Sequence, residues 1–358
     1  MSKLRKRLTA FVKLGDFLRF FSDNNYKNEI DATNAHEFQE KLNKQIDRAA
    51  LANGWFTKEN IRFTLKHWGD LLTEKNLNSW ISSYTIDEHT LKNVAIVMAG
   101  NIPLVGFHDF LCVLLTGHNV LVKQSSSDQF LLPLIAKYLV KVEPDFNGAI
   151  EFTEKQLEKF DAVIATGSDN TARYFEYYFK NKPHIIRKNR NSVGIITGNE
   201  SQKELEELGE DIFRYFGLGC RSVSKLFVPS GYDFDIFFKA VFQQKDIIDH
   251  HKYANNYDYN KAVYLMSLFE IKDNGFLLLK EDEAYASPIA TVFYEFYDSK
   301  LYLEKRLEKD RDKIQCIVSS DKSENHIPFG ESQKPQLDSY ADGVDTVDFL
   351  LKIPTNKY

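Results

Sequence analysis

The chain of 358 residues has few cysteines, no long apolar run and no strong excess of charge. Its three cysteines, Cys112, Cys220 and Cys316, are too far apart for a C-x-x-C metal pair, and an odd, sparse set is not a disulfide scaffold. A net charge of −5, from 46 basic and 51 acidic residues, gives no reason to expect nucleic acid as a partner. No stretch approaches the length of a transmembrane helix. We therefore expect a cytoplasmic protein with no metal site.

The composition is that of an ordinary globular protein of two or three domains. Apolar residues make up 43 % of the chain and charged residues 27 %, and no low-complexity repeat is present. Aromatic residues are abundant, with 28 Phe and 18 Tyr. Most of them must pack in cores or subunit interfaces, and some could line an apolar tunnel.

The first twenty residues form a basic amphipathic pattern. Residues 3–21 carry six bases against one acid, and apolar residues recur in them at roughly helical spacing. Such a helix can lie on a membrane surface, or it can dock on the protein itself. We favour docking on the protein and expect no membrane contact.

From residue 93 onward, short apolar runs alternate with helix-like stretches. The runs include Asn93–Met98, Asn119–Val122 and Asp161–Ala165, and a later series begins at Ser222–Val228. Strands alternating with helices predict parallel sheets with helical crossovers. We therefore expect an α/β protein with two Rossmann-like parallel-sheet domains. The polar stretch Ser319–His326 is the best candidate for a linker.

The segment Gly217-Leu218-Gly219-Cys220-Arg221-Ser222 nearly matches a dinucleotide-binding fingerprint. That fingerprint needs a strand before it and a helix after it, whereas here a helix precedes and a strand follows. The glycines instead indicate a tight turn that presents the Cys220 thiol to a substrate. A buried apolar role is the commoner fate of a free cysteine, and local sequence alone slightly favours it. Cys112 and Cys316 lie in apolar elements and are predicted to be core residues.

Two strand ends carry groups that suit a phosphate or a ribose. Asp161–Ala165 leads into Gly167 and Ser168 at the start of a helix, where free N–H groups attract phosphate. Ser168 would cap that helix in either case. Lys123 ends another strand and precedes Ser125-Ser126-Ser127. It could hold a ribose or phosphate, although a solvated surface lysine is the commoner situation.

Taken in order, these segments resemble those of the aldehyde dehydrogenase superfamily. The similar segments are Ala99-Gly100-Asn101-Ile102-Pro103, Gly117–Ser126, Ala165–Ser168 and Tyr215–Val228. The tail Ile327–Leu350 is similar to the acyl-CoA reductase branch typified by the bioluminescence fatty-acid reductase. The four motifs occur in the family's order, and each follows the same kind of element as in the family. Together they indicate the family more specifically than any one motif does.

The resemblance implies an aldehyde-dehydrogenase-like fold and a division of the chain. We expect a mostly helical N-terminal region at 1–90, a cofactor-binding domain at 91–195 and a catalytic domain at 196–325. A tail at 326–358 is expected to return to the cofactor domain.

The resemblance also implies roles for particular residues. Cys220 is the expected nucleophile and Asn101 the expected oxyanion donor. The cofactor-binding residues are expected to be Lys123, Ser125, Ser126, Gly167 and Ser168. Ser126 stands where the family has an acid that contacts the adenosine ribose, which favours NADPH over NADH, although NADH remains an alternative.

One departure from the family pattern indicates which reaction to expect. Arg187 stands where most members have the glutamate that activates water against the acyl-enzyme. We therefore expect NADPH-dependent reduction of an acyl thioester, as a fatty acyl-CoA or acyl-carrier protein, to an aldehyde. The alternatives are a CoA-acylating aldehyde dehydrogenase working oxidatively and a non-catalytic NAD(P)-binding subunit of a complex. A homo-oligomer, with or without an acyl-activating partner enzyme, is also expected.

Overall fold

The computed structural model describes residues 2–22, 32–86, 91–321 and 326–354. The chain divides into two compact units: residues 1–188 with 336–358, and residues 189–335. Residues 322–325 of the predicted linker lie outside the described ranges. Within those ranges, no helix combines the length and apolarity needed to cross a bilayer.

The first unit contains four N-terminal helices followed by alternating strands and helices. The N-terminal helices are α1 (Lys3–Ser22), α2 (Ala32–Ala52), α3 (Lys58–Leu71) and α4 (Glu74–Ile81). The strands are β1 (Asn93–Val97), β2 (Asn119–Lys123), β3 (Ile150–Phe152), β4 (Ala162–Thr166) and β5 (His184–Arg187). The helices between them are α5 (Phe107–Leu115), α6 (Leu131–Val142) and α7 (Asp169–Phe179).

The five strands form one parallel sheet in the order β3-β2-β1-β4-β5. β1 and β4 are buried on both faces, because helices cover both sides of the sheet, and this explains their nearly continuous apolar sequences. The chain extends the sheet from β1 first to one side and then to the other. Such a reversal of direction leaves a crevice outside the carboxyl ends of the central strands.

The apolar face of α1 is buried within the first unit, as the docking interpretation expects. Phe11, Leu14 and Leu18 are fully buried. Gly15 permits a close approach, since a Cβ atom there would lie 2.2 Å from the carbonyl oxygen of Leu72, just after α3. The exposed residues of this helix include the bases Lys3, Arg5 and Lys13.

The second unit contains a six-stranded sheet. Its strands are β6 (Asn191–Ile195), β7 (Val223–Pro229), β8 (Ile271–Asp273), β9 (Leu278–Glu281), β10 (Thr291–Tyr297) and β11 (Ile314–Ser319). Its helices are α8 (Gln202–Phe213), α9 (Phe234–Val241), α10 (His251–Met266) and α11 (Lys300–Lys309). The strand order is β11-β6-β7-β10-β9-β8, and the described pairs are parallel except β8 with β9. Apolar clusters cover both faces of this sheet.

The chain then returns to the first unit through the helix α12 (Thr346–Leu351), which packs on α5. The predicted α/β class, with two Rossmann-like sheets and a helical N-terminal region, is confirmed.

Candidate active site

Three loops of the first unit meet at the carboxyl edge of its sheet. Val97 of β1 pairs with Lys123 of β2 on one side and with Ala165 of β4 on the other. The loops that follow these strands contain Asn101, Ser125-Ser126-Ser127 and Gly167-Ser168. The structure therefore brings the candidate residues of this unit to one edge, on either side of the strand-order reversal.

The loop after β1 packs tightly against the loop after β2. A Cβ atom on Gly100 would lie 2.6 Å from both Cβ and Oγ of Ser125, so only glycine fits there without movement. The Ser125 hydroxyl accepts a hydrogen bond from the Ser127 backbone N–H at 3.2 Å. Ser125 thus shapes this edge by packing and hydrogen bonding, while the neighbouring Asn101 and Ser126 side chains are exposed.

Asp128 was not singled out from the sequence, yet it joins the same two loops. Its buried carboxylate accepts a hydrogen bond from the Leu104 backbone N–H at 2.7 Å. Burial raises the pKa of Asp128 to about 6, against the opposing effect of that hydrogen bond. In the sequence, Asp128 is an acid that directly follows three serines. Such a pattern is equally typical of an exposed loop, so it does not predict a buried carboxylate.

Lys123 is half-buried at the end of β2, and its Nζ donates to the Lys155 carbonyl oxygen at 3.1 Å. A lysine ammonium has three hydrogens, so this bond leaves donor capacity for a ligand. The side chain is therefore partly held by the protein rather than simply solvated.

Ser168 is the N-cap of α7. Its hydroxyl oxygen accepts from the Thr171 backbone N–H at 3.4 Å and lies 3.0 Å from the Thr171 hydroxyl. The Gly167 N–H donates to the Arg187 carbonyl oxygen at 3.3 Å, which ties this turn to β5. Ser168 therefore caps α7, as the sequence predicts, and its side chain remains exposed at the start of the helix.

Arg187 is buried, and both terminal nitrogens of its guanidinium are hydrogen-bonded. It forms a two-fold ion pair with Asp109 of α5, in which NH2 donates to Oδ1 at 2.8 Å. It also donates to the Thr346 hydroxyl of α12 at 3.1 Å. Arginine stays protonated in proteins and has no acceptor. Arg187 therefore cannot act as a general base, and it links β5 to α5 and α12.

In the second unit, Cys220 follows a turn with an unusual backbone. Tyr215 and Phe216 have φ values of 55° and 59°, and Gly217 has φ of 76°. Successive left-handed residues that are not glycine cost free energy, and such strain clusters at functional sites. Helix α8 precedes the turn and strand β7 follows it, which confirms the rejection of the dinucleotide fingerprint.

The three cysteines differ in exposure. Cys220 is exposed, whereas Cys112 and Cys316 are buried, as predicted for core residues. Burial raises the pKa of Cys112 well above its usual value and that of Cys316 to about 11. Both buried thiols stay protonated at neutral pH, which makes them poor nucleophiles.

A small pocket lies behind the Cys220 turn. Phe216, Tyr253, Leu277 and Ala290 are among its lining residues. Its cavity volume of about 20 Å³ would accept roughly one water molecule, so it is a gap in packing rather than a substrate tunnel.

The sequence of residues 13–244 matches the family described as acyl-CoA reductase (LuxC). The chain belongs to the acyl-CoA reductase (LuxC) family. The match covers the loops after β1, β2 and β4 and also the Cys220 turn. This family assignment makes the protein an enzyme of the acyl-CoA reductase kind. The comparison with curated proteins gives no sequence match.

Solved aldehyde dehydrogenases share the fold of this acyl-CoA reductase. Aldehyde dehydrogenase 21 from Physcomitrella patens, in complex with the reaction product succinate, has a TM-score of 0.68 at 12 % identity; the match covers 98 % of this chain and 84 % of that one. A mutant of an aldehyde dehydrogenase from Bacillus cereus has a TM-score of 0.62 at 14 % identity, over 95 % and 83 % of the chains. An indole-3-acetaldehyde dehydrogenase in complex with NAD⁺ has a TM-score of 0.62 at 11 % identity, over 89 % and 72 %. At these identities the likeness shows the fold, and the expected aldehyde-dehydrogenase-like architecture is confirmed.

Proposed function

We propose that this protein reduces a fatty acyl thioester to an aldehyde with NADPH, through an acyl-enzyme on Cys220. The observation that carries the proposal is the exposed Cys220 directly after a strained turn, within the residues that match the acyl-CoA reductase family. The substrate is an acyl-CoA or an acyl-carrier protein, and both present the same thioester carbonyl to the thiol.

The donor set at the carboxyl edge of the first sheet fits a nicotinamide dinucleotide. Lys123 supplies an ammonium group, Ser126 and Ser168 supply exposed hydroxyls, and the start of α7 supplies backbone N–H groups. Ser125 and Gly167 shape the two loops. These groups suit ribose hydroxyls and phosphates. When bound, the reduced cofactor would supply the hydride that the acyl group needs. Three structural neighbours were solved with NAD⁺, which agrees with this cofactor class.

The Cys220 thiolate attacks the thioester carbonyl and forms a C–S bond. The bond to the leaving thiolate breaks, and that thiolate takes up a proton, so an acyl-enzyme and a free thiol result. We propose that the Asn101 amide and the Cys220 backbone N–H donate to the oxyanion that forms during the attack. The role of Asn101 rests on the Ala99–Pro103 motif. After reduction, release of the aldehyde returns the thiol.

The Arg187 ion pair supports transfer to a thiol over hydrolysis. At this position an aldehyde-oxidising enzyme needs a carboxylate that activates water. Here a permanently protonated guanidinium is held by Asp109. A thiol such as CoA attacks an acyl-enzyme with less assistance than water does, because its thiolate is a strong nucleophile. Thioester exchange and reduction therefore fit this site better than production of a free acid.

Oxidation of NADPH in the presence of dodecanoyl-CoA, with chemical detection of the aldehyde, tests the proposal. We expect turnover by the wild type and none by Cys220→Ala. Cys112→Ala is the control, because Cys112 is also a free thiol but is buried in α5. An active Cys220→Ala variant would show that another residue carries the acyl group.

A further inference from the structure

The exposed Cys220 side chain is carried by a main chain that is fixed from its buried side. The Ser222 N–H donates to the Gly219 carbonyl oxygen at 2.9 Å and closes the turn. Behind it, the hydroxyl of Ser192 donates to the Cys220 carbonyl oxygen at 2.9 Å. Ser192 lies in β6 and is fully buried.

Strand pairing is irregular on both sides of Ser192. Ser192 pairs with Val223 of β7, but the next residue, Val193, pairs with Lys225, so Ser224 is an extra residue. On the other side, Asn191 pairs with Ile314 of β11 while Val193 pairs with Ile317, which again leaves one extra residue. Bulges redirect side chains and are common beside active sites. The register of strand pairing therefore shifts on both sides of this buried serine.

A third residue completes this arrangement. The Ser192 Oγ lies 2.9 Å from the Sγ of Cys316 in β11. A hydroxyl has one hydrogen, and Ser192 gives it to the Cys220 carbonyl, so the hydrogen between Ser192 and Cys316 comes from the thiol. Burial raises the pKa of Cys316 to about 11, and the thiol therefore keeps its proton at neutral pH. An accepted hydrogen bond also makes the hydroxyl a better donor.

We propose that Ser192 is a positioning residue for Cys220, and that the Cys316 thiol orients its hydroxyl. The Ser192 bond fixes the peptide plane between Cys220 and Arg221. It thereby limits rotation of the backbone that carries the nucleophilic thiol and the Cys220 N–H. The inference rests on the proposed function, because it matters for catalysis only where Cys220 is the nucleophile.

The test is steady-state reduction of dodecanoyl-CoA, with rates expressed per iodoacetamide-reactive Cys220. For Ser192→Ala we expect kcat to fall about tenfold or more with KM changed less than about threefold, because small misplacements of reacting groups are costly. A purely structural serine would lower the amount of folded protein but not the rate per reactive Cys220. Ser224→Ala is the matched control, since its hydroxyl also donates to a backbone carbonyl, that of Tyr285, at 2.7 Å.

Two substitutions at Cys316 keep the test decisive if Ser192→Ala does not fold. Cys316→Ala should lower kcat, and Cys316→Ser should restore it, because a hydroxyl can replace the thiol as donor. Wild-type kcat in folded Ser192→Ala, or in Cys316→Ala, would overturn the proposal. Cys220→Ala is assayed in parallel: if it is active, the proposed function fails, whereas an inactive Cys220→Ala beside a fully active Ser192→Ala refutes only the positioning role.

Discussion

At the residue scale, we propose that Arg187 separates this protein from an aldehyde oxidiser. In the sequence, Arg187 differs from the family pattern only by standing in place of a glutamate. The structure adds that its partners are Asp109 and Thr346, on two other elements. No sequence pattern predicts such a pair, because its members lie 78 and 159 positions from Arg187. The Ser192–Cys220 hydrogen bond escaped prediction for the same reason, since its two residues lie 28 positions apart.

At the residue scale, Asn101→Ala should reduce turnover far more than substrate affinity. An oxyanion donor acts on charge that develops in the transition state, so kcat should fall about 100-fold while KM stays within about threefold. The measurement is steady-state kinetics with dodecanoyl-CoA, and the exposed Asn147→Ala is the control. A rise in KM alone would mean that Asn101 positions the substrate.

Ser126→Glu should weaken the preference for NADPH. A carboxylate at this exposed loop position would repel the 2′-phosphate and accept hydrogen bonds from ribose hydroxyls, whereas serine can donate to the phosphate. The measurement is kcat/KM for NADPH and NADH in both proteins. An unchanged ratio, or a wild type that prefers NADH, would remove Ser126 from the cofactor site.

Elements with strong apolar runs could be predicted from the sequence, and weakly patterned ones could not. The run at Asn93–Met98 became β1 almost to the residue. Helix α10 was missed because its polar and aromatic residues show no apolar periodicity. The apolar run at Ser287–Tyr294 forms a strand only from Thr291, since Pro288 cannot donate to a strand pair and Ala290 has φ of 62°.

At the element scale, Gly15→Ala should destabilise the protein. Replacing a helical glycine with alanine normally stabilises by about 0.5–1 kcal/mol. Here the added Cβ would meet the Leu72 carbonyl oxygen at 2.2 Å, and α1 would have to move away from α3. We expect a loss of about 1–3 kcal/mol. Urea denaturation measures it, with the exposed Lys13→Ala as the control for α1. A more stable Gly15→Ala variant would show that the two helices are not this close.

At the scale of the whole molecule, stability should depend on pH through Asp128. Its pKa is raised from 3.8 to about 6 by burial, so the folded state holds the proton more tightly than the unfolded chain. The stabilisation is full below about pH 4 and is lost as the pH rises through 6. A shift of this size corresponds to about 3 kcal/mol.

The Asp128→Asn variant should not lose stability in this way, because an asparagine side chain does not ionise. Relative to the wild type, its free energy of unfolding should rise by about 2.5 kcal/mol between pH 4 and pH 7.5, because the unfolded carboxyl is already partly ionised at pH 4. Urea denaturation at both pH values measures the change, and the exposed Asp246→Asn is the control. A difference between variant and wild type that is independent of pH would contradict the raised pKa of the buried Asp128.

The chain forms its second unit from one continuous segment and its first unit from two. The family match, over residues 13–244, includes parts of both units. That function is proposed to depend on one covalent intermediate. It can be observed by intact-protein mass spectrometry after incubation with dodecanoyl-CoA and no reductant. The account predicts one added acyl group, located on Cys220 by peptide mapping, absent from Cys220→Ala and discharged by NADPH. An adduct on another residue, or none in a protein that still oxidises NADPH with dodecanoyl-CoA, would contradict it.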